Sequence, residues 1–469
     1  MHLAKVNDLF TIYIPKFCLE EQRYILDIVF GEFFGLNFEV CEYGELNIKI
    51  THSSCDSLLS VNADFFQKAA KNWLLPQSMP VLPLMDWTPE NDDIHSSLVH
   101  QSIPVLYGQP GLVKNQNSWH LNIDIFGSAF FMLSRYEELI SKGRDDHDRF
   151  PSWASIAHNG GFLDRPIVNE YIEILWSCMH DLWPELARKK RKFRKLVSCD
   201  VDHPFDLAGY SFKKTVLRVG ARLLRDRNLK LAFYDGANYV FKWFGSDRFD
   251  EYRNNIDWMM EVNSAISNTV AFYFIPIQTN SLKEEANDVR SNKLAKLVKH
   301  IMDAGHEVGL HPGYDTYKHP ENFKKSANAL KEVFENDKLD FVNIGGRQHY
   351  LRYDAATTPQ MWEENDLSYD SSLVFADRAG FRCGICYEYS MYDLVHRHKM
   401  RLKQRPLIVM DCSIISQAYE GLGFSQQSSD RIEYFKNVCK TFNGDFTLLW
   451  HNSYFVQLGS KNSYVNSIK

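Results

Sequence analysis

Two carboxylates and an imidazole are packed into Asp200-Val201-Asp202-His203, within LVSCDVDHPFD, behind the apolar lead-in Leu196-Val197 and ahead of Pro204. The stretch reads as a buried strand that stops by delivering charged groups to a sheet edge. Strand ends of this kind are where barrel enzymes keep acids, bases and metal ligands. Acids at i and i+2 point to opposite faces of a regular strand, but a strand ending in a turn can converge them on one site. Later apolar runs end in the same way. GHEVGLH (305–311), FVNIGGRQHY (341–350), PLIVMDCSII (406–415) and FTLLWHNSY (446–454) each close on polar residues, which adds His311, Arg347, His349 and His451 to the strand ends.

The elements that must carry these groups alternate between strand and helix. NTVAFYFIP (268–276) reads as a buried strand, and Leu294, Leu297, Val298 and Ile301 have the spacing of one helical face, stopped at Gly305. Repeated alternation over residues 191–469 predicts an α/β barrel or a doubly wound sheet. Residues 1–190 read as a smaller α+β domain. They hold a strand at 9–15, a helix at 19–35 ended by Gly35, a hairpin over 38–50 turning near Gly44, a helix after the N-cap Asp124, and a helix at 168–183 ended before Pro184. Lys142 to Arg165 reads as a long loop, and its Asp145-Asp146-His147-Asp148 as a solvated acidic stretch.

Arg188 to Lys195 is a basic run at the expected boundary. It reads as a hydrated linker, with a patch for anionic lipid or a phosphate-bearing substrate as the functional alternative. FKKTVLRVGARLLRDRNLK (212–230) sets Val216, Val219, Leu223 and Leu224 on one helical face, and suits either a membrane surface or packing on its own domain.

Composition narrows the function. A chain of 469 residues with 45% hydrophobic and 24% charged content is an ordinary globular protein of two-domain size. The net charge of −6 argues against a nucleic-acid binder. Nine scattered cysteines form no disulfide framework and read as reduced thiols of a cytoplasmic protein; Cys383-Gly384-Ile385-Cys386 lacks the second pair that a zinc knuckle needs. No stretch is apolar for long enough to span a membrane, so membrane contact is expected to be peripheral.

The region from about 195 to 455 resembles the NodB-homology polysaccharide deacetylases of carbohydrate esterase family 4, whose fold is a distorted (β/α) barrel. The resemblance rests on SCDVDHP, GHEVGLH, GGRQHY, LSYDSSL and LLWHNS, in the family's order. It implies that Asp200 is the general base, Asp202 and His311 are metal ligands, Arg347 orients the base and His451 is the general acid. The family's second histidine falls where this chain has Asp315, so the third ligand is His349 or, alternatively, Asp315. Tyr350 and Asp370 are expected to line the substrate site. His203, His306 and His319 keep a structural reading. The segments FFMLSRYEE, RFPSWAS and RPIVNEY resemble an accessory region found ahead of such domains in uncharacterised bacterial proteins.

The expected activity is removal of an N- or O-linked acetyl group from a sugar, with a lipid- or nucleotide-linked precursor of a surface polysaccharide as the substrate. The expected cofactor is a divalent metal, zinc first, with cobalt, nickel or manganese as alternatives. Another metal-dependent C–N amidohydrolase on the same barrel and a non-catalytic carbohydrate-binding relative are the competing readings.

Overall fold

Alternation places β1 (Phe10–Pro15) inside a first sheet, because Phe10, Ile12 and Ile14 are all buried. In this computed structural model, which describes residues 9–225 and 227–469, β2 (Phe38–Tyr43) lies parallel to β1, and β3 (Ile48–His52) lies antiparallel on its other side. The hairpin expected over 38–50 is therefore absent, since β1 sits between its two arms. The more apolar strand takes the place between them and leaves the half-buried β2 at the edge. β4 (Cys55–Val61) follows. β5 (Met85–Trp87) and β6 (Ile103–Val105) form a separate pair, and β7 (Gly108–Asn115) and β8 (Ser118–Ile123) complete the order β2-β1-β3-β4-β8-β7. The N-cap at Asp124 forms: its carboxylate accepts the backbone N–H of Gly127 at 2.7 Å and of Phe65 at 2.8 Å.

The second sheet carries the motifs. Its strands are β9 (Arg194–Val201), β10 (Val270–Phe274), β11 (Glu307–Leu310), β12 (Gly345–Gly346), β13 (Tyr369–Asp370), β14 (Tyr389–Asp393), β15 (His398–Gln404), β16 (Val409–Met410) and β17 (Asp445–Leu449). They run in the order β14-β15-β13-β12-β11-β10-β9-β17-β16. Every neighbouring pair is parallel except β14 with β15. Among the described residues β14 and β16 are the two ends and do not pair with each other. The mixed α/β class holds, and parallel strands bring their C-terminal ends to one edge.

The two sheets share a continuous apolar core running from Phe10 to Ile468. The basic run fastens them together. Arg188 makes a two-pronged ion pair with Glu173, both contacts at 2.8 Å, Arg191 lies 4.0 Å over the Tyr387 ring, and Arg194 grips Asp445 at 2.6 and 2.7 Å. These arginines are engaged within the protein, so the run is a strap and not a continuous cationic patch. The expected helix over 212–230 ends early: Phe212–Leu224 is one helix and Leu229–Trp243 a second, and residue 226 lies outside the described residues. Cys383 and Cys386 are buried free thiols. No helix among the described residues is long and apolar enough to cross a membrane.

Candidate metal centre

Asp202 follows the end of β9, His311 the end of β11, and His349 starts a short turn after β12. Parallel neighbours in register place the three on one sheet edge. His311 Nε2 lies 3.2 Å and His349 Nε2 3.5 Å from Asp202 Oδ1. One ligand atom from each of the three falls within 4.8 Å of the others. Asp202 Oδ1 is buried yet accepts no hydrogen bond of ordinary geometry. A buried carboxylate oxygen that faces two ring nitrogens and accepts no hydrogen bond suits a divalent cation.

The outward ring nitrogens support that fit. His311 Nδ1 donates to the backbone carbonyl of Arg347 at 2.6 Å, and His349 Nδ1 donates to Glu284 Oε1 at 3.1 Å. Each bond assigns the proton to Nδ1 and leaves an Nε2 lone pair aimed inward, as metal-binding histidines require. Burial pushes the Glu284 carboxyl up, but the His349 bond and the backbone N–H groups of Thr279 and Tyr314 outweigh it and hold the group at about 2. Burial likewise raises the Asp202 carboxyl, while His349, His311 and His451 bring it well below the usual range. Burial lowers His311, but Asp200 and Asp202 raise it overall. Positive charge is favoured at this spot.

Asp315 does not join the cluster. Its Oδ2 accepts from Asn280 Nδ2 at 2.9 Å and its Oδ1 lies 3.4 Å from Arg352, so the side chain is tied to the rim. The structure therefore brings His349, not Asp315, to Asp202 and His311.

Acid–base groups flank the three ligand candidates. Asp200 is buried, with Oδ1 2.6 Å from Arg347 Nη1 and Oδ2 3.7 Å from His311 Nε2. Arg347 is fully buried and also donates to Ser198 Oγ at 3.0 Å, Ser371 Oγ at 3.1 Å and the Ser371 carbonyl at 2.9 Å. A guanidinium with that many fixed partners holds the carboxylate in one orientation. Across the site, His451 Nε2 is 3.8 Å from Asp202 Oδ2. Its Nδ1 bonds Asp411 Oδ1 at 2.8 Å, and its backbone N–H donates to Asp411 Oδ2 at 2.7 Å. Burial lowers the His451 pKa, but Asp411 and Cys412 raise it far above the ordinary value. Asp411, Cys412 and His451 also have the spacing of a metal group. The Asp411 carboxylate is already occupied by His451 and by the Cys412 N–H at 2.6 Å, so the set is a carboxylate–imidazole pair.

Asp370 departs from its expected place. It is fully buried, and its carboxylate accepts the backbone N–H of Ser372 at 3.1 Å and the Ser372 hydroxyl, so it braces the loop behind Arg347 and presents no surface to a substrate. Burial raises its carboxyl to about 6 against those Ser372 bonds. Tyr350 does sit at the rim, in left-handed backbone with φ 59°, its ring centroid 4.8 Å from that of His349. His306 accepts the Val270 N–H at 3.1 Å and His203 pairs with Glu285 at 3.0 Å.

The long N-terminal loop also reaches the rim, where a solvated stretch was expected. His147 Nδ1 bonds the Tyr314 hydroxyl at 2.9 Å and its ring lies 4.8 Å from that of Tyr350. Arg149 donates to the Tyr350 carbonyl at 3.1 Å, and Arg352 to the His147 carbonyl at 2.9 Å. Glu284, Asp411 and His147 are thus the site residues that strand-end reasoning misses or undervalues. Asp411 ends an apolar run and could have been found from that, whereas Glu284 and His147 lie in polar loops without a local signal.

Residues 10–184 match a family described as being of unknown function, DUF7033. No curated protein matches the sequence. Among solved structures, the chain is similar to a provisionally assigned polysaccharide deacetylase from Mycobacterium smegmatis, at 13% identity over 61% of this chain and 84% of that one, with a TM-score of 0.38. It is also similar to PuuE allantoinase, at 12% identity over 67% of this chain and 89% of that one, with a TM-score of 0.36.

Proposed function

We propose that the chain is a metal-dependent hydrolase that removes an N- or O-linked acetyl group from a sugar, such as a lipid- or nucleotide-linked precursor of a surface polysaccharide. In this reading residues 191–469 are the distorted barrel that does the chemistry, and residues 1–190 are an accessory domain whose loop completes the rim. The observation that carries it is the convergence of Asp202, His311 and His349 within 4.8 Å, with Asp200 on one side and His451 on the other.

Asp202, His311 and His349 would hold the divalent ion, whose chemistry there would be to polarise a carbonyl and to make a nucleophile available from water near neutral pH. Asp200 takes the proton from the attacking water, and Arg347, 2.6 Å from its Oδ1, keeps that carboxylate aimed. His451 gives a proton to the departing amine or alcohol, since an amide nitrogen leaves poorly without one. Asp411 fixes the His451 tautomer so that Nε2 faces the substrate. His147, Tyr314 and Tyr350 offer ring faces for a sugar.

The test combines metal content with acetate release from N- and O-acetylated sugars, after loading with zinc, cobalt, nickel or manganese. One ion per chain, acetate release, and an Asp200→Asn variant that binds the ion but releases no acetate are the expected results. Full activity in Asp200→Asn would sink the base assignment. Ammonia or carbamate from ureides in place of acetate would identify another C–N amidohydrolase, and sugar affinity with no bound metal would identify a binding protein.

A further inference from the structure

The hairpin formed by helices Phe212–Leu224 and Leu229–Trp243 is built inside out. Its inner face, against the rest of the protein, is polar. Asp206 accepts from Asn238 Nδ2 at 2.9 Å and pairs with Arg218. Asp235 pairs with Arg218 at 2.9 Å and Arg222 at 3.3 Å. Lys242 is fully buried against Asp250 at 2.7 Å. The outer face is apolar and faces water. Phe212 is 66% exposed, Leu217 65%, Leu224 86%, Trp243 71% and Phe244 82%, joined by Val216, Leu229, Phe233 and Val240. A soluble helix normally turns these faces the other way, and a contiguous apolar surface of this kind marks an interaction site.

The charge around that face identifies what covers it. Among the described residues of 207–248, every exposed charged side chain is a cation, Lys213, Lys214, Arg227, Lys230 and Arg248 among them. Asp235 is turned inward to Arg218 and Arg222, and Asp247 pairs with Lys293 at 2.6 Å. Protein–protein interfaces are depleted in lysine, whereas Leu, Phe and Trp flanked by Lys and Arg are the composition of a helix lying in the interface of an anionic bilayer. Neither helix can span a membrane. We propose that this hairpin docks the protein on anionic membrane surfaces, its apolar face entering the headgroup boundary while its lysines and arginines face lipid phosphates. The docking element is thus the hairpin and not the Arg188–Lys195 strap. It stands independently of the hydrolase assignment.

Co-sedimentation of the full chain with phosphatidylcholine vesicles, with and without phosphatidylglycerol, tests it. Binding to the anionic vesicles that weakens with salt is expected. Leu217→Glu with Leu224→Glu should abolish it while leaving the melting temperature unchanged, since both side chains face water. Lys213→Gln and Lys214→Gln should each weaken anionic binding about fivefold. Quenching of Trp243 fluorescence by brominated lipid, absent in Trp243→Phe, is a second readout that disturbs no packing. Failure of the wild type to bind anionic vesicles, or equal binding by the Leu217/Leu224 variant, would overturn the proposal. So would self-association of the wild type that the same variant abolishes, because a second copy would then cover the face.

Discussion

Glu284 carries no chemistry of its own, yet it sets which nitrogen of His349 holds the proton. Its oxygens accept the Thr279 N–H at 2.6 Å, the Tyr314 N–H and His349 Nδ1 at 3.1 Å, so it is held rigidly as well as charged. Removing that charge loosens the imidazole. Glu284→Gln is expected to weaken zinc affinity by roughly 10- to 100-fold, read by competition with a chromophoric chelator. Asp315→Asn, altering a carboxylate tied to Asn280 and Arg352, should leave that affinity unchanged. At the opposite wall, His451→Ala should lower acetate release by about 10²- to 10⁴-fold, the usual contribution of a positioned general acid, with metal content retained.

At the scale of elements, the site depends on how closely β12 approaches β11. A methyl group on Gly346 would sit 1.8 Å from the Leu310 carbonyl oxygen, and one on Gly309 2.4 Å from that of Gly345. Only a glycine at 346 lets the Arg347 N–H reach the Leu310 carbonyl at 3.0 Å while the Arg347 carbonyl meets His311 Nδ1. One backbone contact thus positions a metal-ligand candidate and the arginine that holds Asp200. Gly346→Ala is expected to cost about 1–3 kcal/mol in urea unfolding, the range for forcing extra atoms into a packed interior. It should also lower acetate release beyond what the lost stability explains, because His311 and Arg347 move together.

At the scale of the whole molecule, the two sheets are joined by buried charge as well as by apolar surface. Glu138 from the N-terminal part takes both prongs of Arg382 from the C-terminal part, at 2.9 and 2.7 Å, and also Arg135 at 2.8 Å, with all three side chains buried. Burial pushes the Glu138 carboxyl up, but Arg382 and Arg135 outweigh it and hold it at about 2. A carboxyl lowered from its ordinary value near 4.5 stabilises the fold above that pH and loses the contribution as pH falls toward 2. The shift corresponds to about 3 kcal/mol. Burial raises the neighbouring Glu137, so its contribution has the opposite sign and trims the total. The melting temperature should therefore fall between pH 5 and pH 3 in the native protein. In Glu138→Gln it should start lower, reflecting the roughly 3–5 kcal/mol of stability lost when a buried charge is left unpaired, and vary less over that range.

The sequence by itself determined the strand ends and the residue types that gather there. Asp200, Asp202, His311, Arg347 and His451 are legible because apolar runs ending in polar groups mark the edge of a buried sheet, and parallel strands share that edge. Local spacing also sufficed for the Asp124 cap and for the helix ending at Gly305. Only the tertiary structure decided which groups meet. Asp315 and His349 both follow apolar runs, and the tie of Asp315 to Asn280 and Arg352 is a contact between loops that no periodicity encodes. The same holds for Glu284 and His147, which reach the site from polar loops. It holds for β1 as well, which inserts between β2 and β3, because strand order is settled by which strand buries more apolar surface. The hairpin over 212–243 shows the difference most plainly. Its amphipathic pattern can be read from sequence, but which face turns outward depends on Asp206 and Asp250 waiting beneath it to take its charges.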